Sequence, residues 1–263
     1  MMINSRNNSK IKHLIQLQSK ASFRKDSRQF IVEGIKMFME LPSRLHVQTY
    51  ISENFLRNCS KEVLEKLLEK PYECMPDKLF RGVSDTQSPQ GIMAVAHMPE
   101  YTLDEMMTIE RPFFMILQSL QDPGNLGTII RTAEGAGVTG VILNRTSVDI
   151  FNPKVIRSTM GSIYRVPFIY SDCLEETVKN LKNHHVKLYA AHLDGKRYYF
   201  EENYRLACGF MIGNEANGLS NSLTLLADGM IKLPMSGQVD SLNAAVAASI
   251  LMYEVKKQRM QIV

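Results

Sequence analysis

Three short stretches of this 263-residue chain collect residues that could hold a ligand or carry out proton chemistry. In SLQDPGNLGTIIRTAEGAG, Pro123, Gly124 and Gly127 make a tight strand-to-helix turn around Asn125, and Arg131 follows Gly127 by about one helical turn. The glycines let the backbone approach a ligand closely; the alternative is a plain glycine turn with Arg131 in a surface salt bridge. In FMIGNEANGLS an apolar strand runs into Gly213, Asn214, Glu215, Asn217, Gly218 and Ser220, and the two glycines and two asparagines suit left-handed backbone. Glu215 is then a charge at the mouth of a buried strand, or else a helix N-cap or first-turn acid favoured by the helix dipole. In KLPMSGQVDSLNAAVAASILMYE, a strand end at Leu233 passes through a Pro/Gly loop to Ser241, Leu242 and Asn243, which open a long apolar helix. There Asp240 or Ser241 also suits an N-cap, and the alanine-rich face suits close helix packing.

Each stretch follows an apolar strand, and in open α/β sheets ligands bind beyond the carboxyl ends of the strands. From Phe113 onward the pattern alternates strand and helix: FFMILQSL, a helix over 125–136, GVILN, a helix over 153–161, VPFIY, a helix over 173–184, KLYAA, CGFMIG, a helix over 221–227, GMIKL and a helix over 241–259. Repeated units of this kind imply a mostly parallel sheet with helices on both faces. The first part of the chain reads as a smaller α/β unit. It has a helix over 9–21, the strand QFIVE, a helix over 35–41 closed by Pro42, strands at 47–51, 72–74 and 91–96, and a helix over 61–69. The stretch HMPEYTLDEMMTIERP lacks apolar periodicity and contains two prolines, so the expected boundaries are 1–98, a linker over 99–112, and 113–263.

Hydrophobic residues make up 44% and charged residues 22% of the chain, with a mean hydropathy of −0.15, which suits an ordinary globular protein and argues against disordered or membrane classes. No apolar run approaches the ~20 residues of a membrane helix, and the amino terminus is polar and basic; a cytoplasmic location is expected. Cys59, Cys74, Cys173 and Cys208 are isolated from each other, with no spacing suited to metal, and are expected as free thiols without a metal site. Residues 1–36 carry eight basic side chains against two acidic ones, a pattern that suits phosphate binding. Lys10, Lys12, Arg24, Lys25 and Arg28 are the expected phosphate contacts. None of the three loops forms a GxGxxG strand-to-helix fingerprint or contains GxxxxGK[ST], which argues against a nucleotide-binding dehydrogenase or a P-loop enzyme.

Taken together, the three loops resemble the SpoU/TrmH branch of the SPOUT methyltransferases, whose motifs read N-x-G-x-x-x-R-T-A, G-x-E-x-x-G and P-M-x-G-x-x-x-S-L-N-x-A. All three stand here in that order, from Asn125 to Ala133, Gly213 to Gly218 and Pro234 to Ala245. The resemblance is close from Phe113 onward, and residues 1 to about 97 look like the family's ribosomal-protein-like RNA-binding domain. It implies a catalytic domain tied in a deep trefoil knot. S-adenosylmethionine would be held in bent form by loops at Gly213, Asn214, Gly218, Leu233 and Leu242, and its methyl group transferred to a ribose 2′-oxygen of RNA. By the same resemblance Arg131 is the key catalytic residue, arranged with Asn125, Glu215, Ser241 and Asn243. Because an arginine is chemically awkward as a base, its expected role is to bind the adjacent phosphate and lower the hydroxyl's pKa. Ribosomal RNA, 23S first, is the expected substrate and transfer RNA the alternative; a non-catalytic RNA-binding protein is opposed by the presence of Arg131, Glu215 and Asn243. The resemblance also implies a homodimer through the knotted domain, with Leu251, Met252 and Val255 of the last helix as either its interface or simply core.

Overall fold

The computed structural model describes residues 2–239 and 241–260, so Asp240 lies outside the described residues. The chain forms two compact units. The first opens with α1 (Ser9–Ser19), whose Ile11, Leu14 and Leu17 face the core and whose amino terminus is capped by the Asn8 side chain, 2.8 Å from the Lys10 N–H. The helix expected to reach residue 21 stops earlier. Lys20 is extended and separates α1 from α2 (Ala21–Ser27), because the apolar stripe ends at Leu17 and α2 buries Arg24 instead. There follow β1 (Gln29–Glu33), α3 (Ile35–Glu40), β2 (His46–Ser52), α4 (Glu53–Asn58), α5 (Lys61–Leu68), β3 (Tyr72–Met75), α6 (Asp77–Val83) and β4 (Ile92–His97). The four strands form one sheet in the order β1-β4-β2-β3, with β4 antiparallel to both neighbours and β2 parallel to β3. Ile31, Tyr50, Phe80, Met93 and Val95 join the α1 residues in its core.

Residues 99–112, expected as a linker, contain α7 (Leu103–Met107), whose amino terminus carries a reciprocal Thr102–Glu105 capping box and whose Met106 enters the core of the second unit. Then come β5 (Phe113–Leu117), α8 (Pro123–Ala136), β6 (Gly140–Asn144), α9 (Pro153–Thr159), β7 (Phe168–Ser171), α10 (Leu174–Asn183), β8 (Lys187–Ala191), β9 (Arg197–Tyr198), β10 (Cys208–Ile212), α11 (Asn221–Leu226), β11 (Gly229–Lys232) and α12 (Ala244–Met260). Seven of these strands form a sheet in the order β7-β6-β5-β10-β8-β11-β9, with every pairing parallel. All five residues of β5 and of β10 are buried, as strands covered on both faces require. The register sets Leu117 beside both Ile212 and Leu143, so neighbouring strands end level and their loops leave along one edge. Leu251, Met252 and Val255 are fully buried in the protomer; they are core, and the dimer face that the sequence pattern offers for them is not available.

Although Asp149–Tyr164 follows β6 in sequence, it groups with the first unit, and α9 goes with it. The Phe151 ring lies 4.8 Å from that of Phe30, and Tyr164 donates its hydroxyl proton to the Met37 carbonyl at 3.0 Å. Arg24 donates to Asp149 at 2.6 and 2.9 Å and to the Leu17 carbonyl at 2.7 Å. Its side chain is only 4% exposed, so Arg24 is a buried structural cation and not the phosphate contact expected of it. Among the described residues no helix is long and apolar enough to cross a membrane, and no group of metal-ligating side chains forms. Replacing Asp149 by Ala would leave the Arg24 guanidinium buried without its carboxylate. The expected loss is about 3 kcal/mol of unfolding free energy, read by denaturant titration; a change within the error of the titration would mean that the pair holds nothing together.

Candidate active site

The loops leaving the carboxyl edge of the seven-stranded sheet surround a cavity of about 590 Å³, within the size range of small-ligand sites. Gly213, Asn214, Glu215 and Gly218 line it from the end of β10, Leu233 and Met235 from the end of β11, and Ser241, Leu242 and Asn243 from the start of α12. The β10 loop closes on itself: Asn214 and Gly218 exchange main-chain hydrogen bonds at 2.9 and 3.1 Å, and Gly218 adopts φ +67°. A Cβ on Gly213 would lie 2.0 Å from the Gly218 carbonyl carbon, so only glycine permits the loop to return this tightly. Asn214 stiffens it further, accepting from the Ala216 and Asn217 N–H groups and donating to the Ser119 carbonyl at 2.8 Å.

Side-chain amides link all three sequence motifs. Asn243 donates to Asn125 at 2.9 Å, and Asn125 donates to Glu215 at 3.0 Å. The Glu215 carboxylate also accepts from the Gln121 and Asp122 N–H groups at 3.3 and 3.4 Å, where α8 begins. It is therefore neither an N-cap nor a first-turn acid of its own segment; it faces the positive end of a helix from another motif. Asp122 caps α8 through the Asn125 N–H, and Asn243, not Ser241, caps α12, accepting from the Ala245 and Val246 N–H groups. Desolvation works against the charged form of Glu215. The hydrogen bonds from Asn125 and from the main chain of Glu215, Gln121 and Asp122 outweigh it and hold the carboxyl below its ordinary range.

Arg131 is exposed on α8 and its side chain forms no hydrogen bond or ion pair among the described residues, so the geometry does not draw it into the Asn243–Asn125–Glu215 chain. Ser241 is likewise exposed at the cavity rim. In the first unit, Lys12 and Lys25 are exposed without an ion pair among the described residues, Lys10 pairs with the buried Glu73, and Arg28 is exposed where α2 ends. Other contributors escape the sequence pattern. Ala191, His192, Leu193 and Asp194 line the cavity from the end of β8, and the rule that ligands sit beyond strand ends would have found them, since KLYAA is an apolar strand of the same set. Ser119, with φ +54°, receives Asn214 and donates its N–H to Asn144, whereas nothing in the spacing of those residues signals their meeting.

Residues 112–253 match the family described as the SpoU rRNA Methylase family, and residues 8–94 match an MRM3-like substrate binding domain. The chain belongs to the SpoU rRNA methylase family. It is 33% identical over 256 residues to the 23S rRNA (guanosine(2553)-2′-O)-methyltransferase RlmP of Bacillus subtilis, covering 97% of this chain and 98% of that protein. It is 28% identical over 240 residues to the 23S rRNA (uridine(2479)-2′-O)-methyltransferase of Streptomyces viridochromogenes, covering 88% and 84%. The crystal structure of the SpoU methyltransferase AviRb from the same Streptomyces, in complex with AdoMet, superposes with a TM-score of 0.86 at 26% identity, covering 97% of this chain and 99% of that one. The SpoU membership, α/β fold, enzyme class and cofactor expected from the three motifs agree with these relatives.

Because folding lowers the Glu215 pKa, its stabilising contribution is complete above the unfolded-state value and fades as pH falls through the folded one. Glu215→Gln is expected to be less stable than wild type at neutral pH, by roughly 1 kcal/mol. That difference should shrink on acidification below the ordinary glutamate range; a gap independent of pH would show that the carboxylate is not held by these donors.

Proposed function

We propose that this SpoU-family protein transfers the methyl group of S-adenosylmethionine to a ribose 2′-hydroxyl of ribosomal RNA, 23S first. The observation that carries the reading is the cavity at the sheet edge, lined by the second and third motifs and joined to the first through Asn243, Asn125 and Glu215. The cavity suits the cofactor chemically. The folded main chain of Gly213–Gly218 offers polar groups, while Leu233, Met235 and Leu242 offer apolar walls for an adenine and a methionine chain. When bound there, S-adenosylmethionine supplies an already activated methyl sulfonium, so the protein has only to position the hydroxyl and ease loss of its proton.

Arg131 suits the second task. Exposed and unpaired among the described residues, it presents a permanently charged planar fork that grips the phosphate beside the target ribose and lowers the pKa of the hydroxyl. Glu215, fixed as a carboxylate, keeps Asn125 and the β10 loop in place, and Asn243 fixes the start of α12, from which Ser241 and Leu242 reach the cavity. Residues 1–98 act as the RNA-binding domain, with Lys12, Lys25 and Arg28 at phosphates and Lys10 dividing its charge with Glu73. The reading brings with it a cytoplasmic location, a trefoil knot, which the insertion of β10 between β5 and β8 accommodates, and a homodimer, for which Val246, Tyr253 and Met260 are exposed apolar side chains on α12.

The direct test incubates the purified protein and radiolabelled S-adenosylmethionine with ribosomal or transfer RNA from a deletion strain and maps the methyl group by mass spectrometry. A 2′-O-methyl nucleotide in ribosomal RNA is expected. Label in transfer RNA alone would move the substrate, and none in either pool despite cofactor binding would favour a non-catalytic RNA-binding protein. In the same assay Arg131→Lys, which keeps charge but loses the fork, is expected to cut turnover at least roughly tenfold; near-normal turnover would remove Arg131 from the chemistry. Lys12→Ala with Lys25→Ala should weaken RNA binding and lower the slope of log affinity against log salt by about 0.7 to 0.9 for each phosphate no longer neutralised. An unchanged slope would take these lysines off the RNA.

A further inference from the structure

The segment between β8 and β10 carries an exposed aromatic pair that the core does not use. Tyr198 ends the edge strand β9 and Phe200 follows two residues later; their rings stack with centroids 5.5 Å apart and planes within 15°. They remain 37% and 49% exposed, unlike Tyr189 and Tyr204 nearby, which are fully buried. The pair is held in place rather than loosely hung. The Tyr198 N–H donates to Glu201 at 2.7 Å, the Tyr199 carbonyl accepts from Tyr204 at 2.6 Å, and the Tyr199 ring meets Phe200 edge-on at 5.2 Å.

Its position connects it to the cavity. β9 is parallel to β11 with Tyr198 opposite Lys232, so Tyr198 stands at the carboxyl edge where the ligand loops emerge. The Lys232 ammonium lies 5.3 Å from the Tyr198 ring centroid, and Lys232 also lines the cavity. Neither Lys232 nor the neighbouring exposed Lys196 forms an ion pair among the described residues, whereas the carboxylate of Glu202 is already matched by Arg197 and Lys187. Exposed stacked rings flanked by unpaired ammonium groups complement a base next to its phosphate, the combination that single-stranded nucleic acid presents.

We infer that Tyr198, Phe200 and Lys232 form a stacking platform for an unpaired nucleotide of the RNA substrate, beside the one that receives the methyl group; the inference rests on the methyltransferase reading above. Ultraviolet crosslinking of the wild-type protein to 23S ribosomal RNA, followed by trypsin and mass spectrometry, should place a nucleotide adduct on the peptide 198–205. Phe200→Leu keeps apolar bulk but removes the π face. It should raise the KM for RNA roughly tenfold while leaving affinity for S-adenosylmethionine unchanged, and Phe200→Tyr should restore the KM. Unchanged RNA affinity in Phe200→Leu together with no adduct on this peptide would overturn the platform. So would loss of self-association with RNA affinity intact, which would assign the pair to a second copy of the chain. Wild-type protein that gives the adduct but transfers no methyl group would sink the enzyme reading and leave the platform standing.

Discussion

Glu215 presents its carboxylate to the N–H groups of Gln121 and Asp122 at the amino-terminal entrance of α8, and much of the site is arranged around that interaction. A helix amino terminus concentrates unsatisfied donors and a partial positive charge, so a carboxylate brought there from another loop is stabilised as an anion. Once it is fixed, its remaining acceptor capacity orients Asn125, and Asn125 in turn accepts from Asn243. Asn243 uses its own oxygen to cap α12. One charge thus ties the first motif to residues 90 and 118 positions further along the chain, and each link also satisfies a backbone or amide group that would otherwise be left open.

This network is useful because it stands on a rigid base. The central strands β5 and β10 of the parallel sheet are wholly buried, so the polar chemistry of the site gathers at the carboxyl edge. There the register levels the ends of β5, β6 and β10, and the tight Gly213–Gly218 turn folds back over the edge instead of running into solvent. Rings exposed at the end of β9 lie on the same edge, which is why an aromatic pair outside all three motifs can belong to the same surface.

The first unit distributes its charge differently. Of the basic residues near the amino terminus, Arg24 is drawn inward by Asp149 and by the carbonyls of α1, and Lys10 is turned toward Glu73, while Arg6, Lys12, Lys20 and Lys25 stay exposed without an ion pair among the described residues. A count of charge in a segment therefore overstates the charge offered to a polyanion, because a guanidinium with five donors is also the best side chain for gathering buried carbonyls.

Local information determined a great deal here. Apolar runs such as FFMIL and CGFMI specify buried parallel strands, glycine and asparagine specify the left-handed turn at Gly218, and the three motif spacings are sufficient for the family and for most residues that line the cavity. Other features have no local signature. The helix over 103–107 is too short to show a periodic stripe, although Met106 is buried and Leu103 and Met107 pack against the same core, and the break at Lys20 follows from which face of α2 meets the core. That Asp149 is the partner of Arg24, that Asn243 rather than its neighbours caps α12, and that Asp149–Tyr164 packs with the first unit were decided only in the tertiary structure. Sequence sets residue type and period, which act over a few residues. Which donor meets which acceptor depends on distances between segments far apart in the chain, and those exist only once the sheets have assembled.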